Sequence, residues 1–441
     1  MASSSSYSVL LRLNCPKVIF GSASYYRSLG KWSARSCASR FNRRGLCTAT
    51  ISSPWLMLPP EIEAGTMSYK FYSLANNKVQ TLCPSDEIRD LRVMCRGSSH
   101  GWLALWSQHC NVFFNPISRR YIKLPSILNL SIFCKDGLFL YNPISGRLIK
   151  LPSILNLATF RKDYIFDPSR YVTKVILSCS PDEDEENCRV LILRDWGYAL
   201  AFCCPGRSKE WTLMLDENTD DKRYYIDCVY SARLKVFFAL TNDRKLETWD
   251  LGDLSSPKLI KVDETNIDQG HFYSFVDTFV PFPEKDLVVA NEDLLLVIRY
   301  IMDHVGPDGS CFDVSDDCCS YAYPHMTIGF DIFKYDDSEK GKFEYLDSSS
   351  LGDLAIFVGS HNHSVAIQAT EFPGVKPNSI YFTDAYGTGN LEGYNSQMYG
   401  HDIGIYNYQN KTVSPCYYPC DASSVKTIMP APIWFFPSRS I

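Results

Sequence analysis

No aspartate or glutamate occurs before Glu61, and no run of apolar residues approaches the ~18–20 that a membrane-spanning helix needs. The apolar stretch after Asp293, Leu294 to Ile298, ends at Arg299. A membrane-spanning helix is therefore not expected. Helical periodicity is scarce after residue 50, and no basic cluster follows the first 50 residues. Those first 50 hold eight basic side chains (Arg12, Lys17, Arg27, Lys31, Arg35, Arg40, Arg43, Arg44) and eleven serines, leaving 36 basic against 49 acidic residues in the remainder. A body of net charge −13 repels a phosphate backbone, so nucleic acid is not an expected partner.

The acid-free, Arg- and Ser-rich segment 1–50 has the composition of an organellar transit peptide. Arginine outnumbers lysine six to two in it, which favours a mitochondrion over a plastid, although the opening Met-Ala-Ser-Ser-Ser-Ser suits a plastid equally. A cytoplasmic or nuclear location is the remaining alternative. Seventeen cysteines without a secretory signal read as buried thiols and not as a disulfide framework.

What the chain does have is aromatic residues, 14% of the total, and short alternating runs such as Ile328-Gly-Phe330-Asp-Ile332. A hairpin pattern recurs: strand, a turn of Asn, Asp, Pro or Gly, then a strand that often opens with Lys or Arg. It begins at Phe71, Val112, Phe139, Ala201, Trp249, Ile332 and Ile405. Neighbouring copies lie roughly 40–50 residues apart in places, the length of a propeller blade. The expectation is an all-β, kelch-like β-propeller of six or seven blades over 54–438, preceded by a disordered presequence; a pair of β-sandwiches is the alternative. Longer intervals late in the chain require insertions or unseen hairpins.

One repeat is of another kind. Asn115 to Leu130 and Asn142 to Leu157 are offset by 27 positions and match at 14 of 16, differing only at Arg119/Gly146 and Tyr121/Leu148. A 27-residue unit is too short for a blade, so one copy is expected in a blade's outer hairpin and the other in an extra hairpin.

The segments SSPWLMLPP from Ser52, CRGSSHGWLAL from Cys95, NPISGRLIKLP from Asn142, VYSARLKVFFAL from Val229 and APIWFFPS from Ala431 together resemble the plant family known as domain of unknown function 295, or KIB-type β-propellers. Many relatives carry an F-box, which would imply the substrate-recognition component of a cullin-type ubiquitin ligase. Here LMLPPEIE at Leu56 mimics an F-box opening but runs into GTMSYKFYSL, which reads as strand. The resemblance is thus to an F-box-less, organellar branch. It implies a non-enzymatic scaffold with an unknown protein partner. A ubiquitin-ligase role is the first alternative, and a small-ligand binder or enzyme using the propeller channel is the second.

No catalytic, cofactor-binding or metal-ligating set is expected. His361-x-His363 could ligate a metal but lacks a third ligand and reads as a turn. Cys311, Cys318, Cys319 and His325 lack paired knuckles, as does Cys416-x3-Cys420. Ser99 beside His100 lacks the third group of a triad, so His100 is expected as a turn or packing residue. GTGN at Gly387 lacks the lysine of a phosphate loop. The acidic run Asp182–Glu186 is expected as a solvated loop, and Trp196, Trp211 and Trp249 as core. A channel lined by convergent carboxylates or histidines would favour the ligand-binding alternative.

Overall fold

The computed structural model describes residues 53–437 except 64–65, 83–92, 108–111, 116–119, 124–137, 153–171, 195–198, 215–222, 268–281, 303–324, 340, 360–362, 386–399, 418–427 and 429. The transit-peptide expectation at 1–50 lies outside the described residues, as do His361, Cys311, Cys318, Cys319, Cys420, Trp196 and the Gly387 loop.

Six blades form the ring, five of them antiparallel throughout, so the lower of the two expected blade numbers holds. The first blade contains β1 (Trp55–Glu63), β2 (Thr66–Ser73) and β3 (Lys78–Leu82). Leu56-Met-Leu-Pro-Pro is therefore strand, as the sequence after it suggested. In the second blade, β4 (Val93–Ser99) and β5 (Trp102–Ser107) precede a separate two-stranded hairpin, β6 (Val112–Asn115) with β7 (Arg120–Lys123); β8 (Leu138–Tyr141) and β9 (Leu148–Lys150) then complete the sheet. Blade three is β10 (Val172–Leu177), β11 (Val190–Arg194), β12 (Ala199–Cys203) and β13 (Thr212–Leu213). Blade four is β14 (Tyr225–Ser231), β15 (Val236–Thr241), β16 (Lys245–Asp250) and β17 (Lys258–Glu264), and blade five is β18 (Phe282–Ala290), β19 (Asp293–Met302), β20 (Met326–Asp336) and β21 (Lys342–Leu346).

The sixth blade departs from the pattern. Its sheet order is β23 (Val365–Gln368), β22 (Leu354–Val358), β24 (Ser379–Phe382), β25 (Gly404–Asn407), β26 (Thr412–Ser414), with β22 and β24 parallel. The last strand, β27 (Ile433–Phe435), pairs with β1 and closes the ring, Met57 facing Ile433 and Trp55 facing Phe435. The innermost strands are β27, β4, β10, β14, β18 and β23.

The seven sequence hairpins are the outer pairs β2–β3, β8–β9, β12–β13, β16–β17, β20–β21 and β25–β26, plus the extra pair β6–β7. The duplication is thereby resolved: the second copy occupies a blade and the first stands outside it. The two copies differ where it matters. Gly146 adopts φ +72 in the β8–β9 turn, a left-handed conformation that costs glycine little and an arginine more, and the first copy carries Arg119 there. The in-blade turn is also anchored, Asn142 and Arg147 donating to Asp182 at 2.8 and 3.0 Å and Arg147 also reaching Glu185. The acidic loop is thus solvated as expected, with one side tied to the neighbouring blade.

Deleting residues 109–135, one repeat offset, leaves a short connection ending in Asp136-Gly137 between the paired Trp106 and Leu138. Asp-Gly suits a tight hairpin turn. We expect a cooperative thermal melt with stability changed by no more than about 2 kcal/mol, because loop-closure entropy varies slowly with length. A large loss of stability would mean that β6–β7 supports the ring.

Hydrophobic clusters fill each interface between neighbouring blades. Trp102, Leu140, Val190 and Trp211 pack blade two on blade three, and Leu193, Phe202, Phe237 and Trp249 pack blade three on blade four. Trp211 and Trp249 are buried there, as expected. Among the described cysteines, Cys188, Cys203, Cys204 and Cys228 are buried thiols and none is in a disulfide.

Candidate binding face and buried polar cluster

In the wholly antiparallel blades, strand order puts the turns between first and second, and third and fourth, strands at one end of the ring and the other connections at the opposite end; in blade six the parallel pairing of β22 with β24 puts 369–378 at the first end and 383–403 at the second. The longest connections, 108–137, 151–171, 303–325 and 383–403, share that opposite end. A rigid sheet scaffold with its long connections on one side has its sequence-variable surface there.

At the same end, the channel mouth opens into a cavity of about 180 Å³ lined by Lys174, Tyr225, Asp227, Glu284, Asp286 and Gly359 among others. Three successive inner strands meet through charge. Lys174 on β10 donates to Asp227 on β14 at 2.6 Å and lies 3.8 Å from Asp286 on β18. Burial opposes the lysine's charge, but the two carboxylates outweigh it and raise its pKa. Asp227 also accepts the amides of Cys228 and Leu287, each at 2.7 Å. Ser364, at the head of β23, donates to Asp286 at 2.9 Å. Glu284 is exposed at the cavity, yet the protein packed around its carboxyl, and then the Asp286 charge, push its pKa up. The channel is thus lined by charged side chains, the outcome named above as favouring a ligand.

Deeper in the channel, Ser99 Oγ lies 2.9 Å from Nδ1 of His100 and 3.1 Å from Nδ1 of His363, and accepts the Leu177 amide at 3.2 Å. One hydroxyl proton satisfies the set if one imidazole donates to the oxygen and the other accepts from it. The two rings stack at 5.6 Å. Ser99 is buried, which suits a bracket between blades and not an accessible nucleophile. His100 and Gly101, at φ 49 and 76, form the two-residue β4–β5 turn, so His100 is the turn residue the sequence suggested.

Burial lowers the His100 pKa to about 4, and burial together with His100 and Lys174 lowers that of His363 further. Folding therefore excludes protons that the unfolded chain takes up near the ordinary histidine value. Stability is complete above about pH 6.5 and declines as pH falls towards 4. His100→Asn keeps a residue suited to positive φ while removing one of these groups. The expected result is a shallower fall of melting temperature between pH 7 and 4.5; equal slopes for variant and wild type would refute it.

The densest buried polar cluster joins blades five and six. Arg299 on β19 donates to Thr327 Oγ1 at 2.7 Å, to the Thr383 carbonyl at 2.6 Å and to Asp402 at 2.8 Å, and Thr327 donates to Asp402 at 2.6 Å. Beside it, His325 Nε2 is 2.9 Å from Asp384 Oδ1, and His401 Nε2 donates to the His325 carbonyl at 2.9 Å. Burial would raise the Asp384 pKa, but His325 holds it down at about 2; burial opposes protonation of His325, and Asp384 overrides it. The cysteines near His325 in sequence, Cys311, Cys318 and Cys319, lie outside the described residues. The partners of His325 are 59 and 76 positions away, beyond any local motif.

Among curated proteins, an F-box protein of Arabidopsis thaliana, At2g17690, is 41% identical over 61 residues, 14% of this chain and 14% of that one. A second Arabidopsis protein named for an F-box, At1g65770, is 38% identical over 85 residues, 19% of this chain and 22% of its own length. The chain thus spans less than a quarter of either relative. Among solved structures, apo AztD from Citrobacter koseri matches at a TM-score of 0.31 and 10% identity over 70% of this chain and 75% of that one, a likeness too loose to bear on function. The model of the KIB1-4 β-propeller family matches residues 127–407, well over half of the chain. With six blades in the ring and that match across most of them, the chain belongs to the KIB1-4 β-propeller family.

Proposed function

We propose that this propeller is a non-enzymatic protein-interaction scaffold that binds its partner with the end bearing the long connections. The observation that carries the reading is the asymmetry of the ring: tight turns and hairpin loops at one end, and the connections 108–137, 151–171, 303–325 and 383–403 at the other. A photo-crosslinking residue placed at Asp243, in an exposed turn of the long-connection end, should capture a partner that one at Leu234, exposed at the opposite end, does not. Equal capture, or capture from Leu234 alone, would sink the assignment of the face.

The basic, acid-free first 50 residues support action in an organelle, a mitochondrion by their arginine content. Imaging the full chain and a truncation starting at Ser52, each with a C-terminal fluorescent protein, tests this; only the full chain should be imported and shortened. The F-box names of the two Arabidopsis relatives support a second reading, substrate recognition within a cullin-type ubiquitin ligase. Cytosolic retention with an intact N-terminus and co-purification of a cullin adaptor would favour it.

A further inference from the structure

We propose that His325, Asp384 and His401 form a binding site for one divalent transition-metal ion of the zinc class, clamping blade five to blade six at the binding end of the ring. His325 stands immediately before β20, Asp384 follows β24, and His401 precedes β25. One donor atom from each lies within 4.8 Å of the others, and all three side chains are buried. The closest pairs are His325 Nε2 to Asp384 Oδ1 at 2.9 Å and His401 Nδ1 to Asp384 Oδ2 at 3.8 Å. The carboxylate of Asp384 thus turns one oxygen towards each ring, and tetrahedral ligands at Zn–N and Zn–O lengths of about 2.0–2.1 Å stand about 3.3 Å apart. Small side-chain rotations would bring the three donors onto an ion, with the proton shared by His325 and Asp384 displaced to solvent.

Two observations point to a ligand and not merely to a polar network. His401 Nδ1 is buried without a hydrogen-bond partner, on a residue only 8% exposed, and it faces Asp384. The other nitrogen of that ring donates to the His325 carbonyl, which fixes the tautomer that leaves Nδ1 with its lone pair inward. Metal-bound histidines are held in this way, the distal N–H on a carbonyl or carboxylate. The supporting layer is built as well: the Asp402 amide reaches Asp384 Oδ2 at 3.4 Å, and Arg299 and Thr327 hold Asp402. Two imidazoles and a carboxylate suit a borderline divalent ion such as zinc or cobalt(II), and suit calcium or magnesium poorly.

Cobalt(II) titration of the purified full chain, treated first with chelator and kept reduced, is the test. One equivalent should bind with visible d–d bands and without thiolate-to-cobalt charge transfer, and binding should be lost in Asp384→Asn and His401→Gln. Since those variants could fail to fold, histidine-ring NMR of the wild-type chain with zinc supplies an independent measurement. Stoichiometric zinc should shift the rings of His325 and His401 and leave those of His100 and His363 in place. Absence of one-equivalent binding, thiolate charge-transfer bands alone, or unmoved His325 and His401 rings would each overturn the proposal.

Discussion

Ending the chain at Ile428 is expected to abolish cooperative folding. The deletion removes β27, the inner strand of the first blade, and with it Trp434 and Phe435, which are 1% and 0% exposed. Phe435 packs on Trp55 and Phe71 within the first blade, at 5.9 and 5.3 Å between ring centroids. Trp434 meets Phe357 and Tyr381 of the sixth blade edge-on, at 5.0 and 5.8 Å. One short strand therefore seals two interfaces. Loss of a single buried Phe or Trp side chain costs about 3–5 kcal/mol, against a whole-domain stability of about 5–15 kcal/mol. Circular dichroism should show no cooperative melt for the truncated chain, and urea denaturation of Trp434→Ala should show a loss of about 3–5 kcal/mol. A truncated chain that melts within a few degrees of the wild type would mean that the ring does not depend on its closing strand.

Arg299→Met should destabilise by a similar amount for an electrostatic reason. Arg299 is 1% exposed and Asp402 7%, so the variant strands a carboxylate in a dry interface. Breaking one side of a buried ion pair costs about 3–5 kcal/mol. The double variant Arg299→Met, Asp402→Asn removes the orphaned charge and should recover part of that loss. Arg299→Lys should not rescue, because a single ammonium cannot reproduce donation to Thr327, the Thr383 carbonyl and Asp402 together. Denaturant midpoints for the three variants check the ordering; a double variant less stable than Arg299→Met alone would contradict the ion-pair account.

The outer hairpins were legible in the sequence because each is local: two strands joined by a turn whose residues tolerate positive φ or fix it. All seven start points fall on observed hairpins, including the one outside the blades. The described residues of the long interval between the hairpins at Trp249 and Ile332 include β18 and β19, the inner strands of blade five. One of the two differences between the near-identical repeats, Gly146 against Arg119, was also visible in the sequence. Its meaning was not, because either copy alone reads as a hairpin and only the φ of the in-blade turn distinguishes them. The parallel pairing of β22 with β24 gave no local sign, since its crossover through 369–378 carries no helix of the usual kind.

The amino-acid sequence by itself determined the all-β character, the turn positions, the repeat that makes a propeller and the acidity of the body. The first two follow from residue chemistry within a dozen positions, and the other two from spacing and counts along the chain. Only the tertiary structure decided that the ring has six blades, that Lys174, Asp227 and Asp286 meet across three inner strands, and that His325 finds Asp384 and His401. Those contacts join residues 53 to 112 positions apart. The periodicity of a strand says which way a side chain points, but closure of the ring decides what it meets.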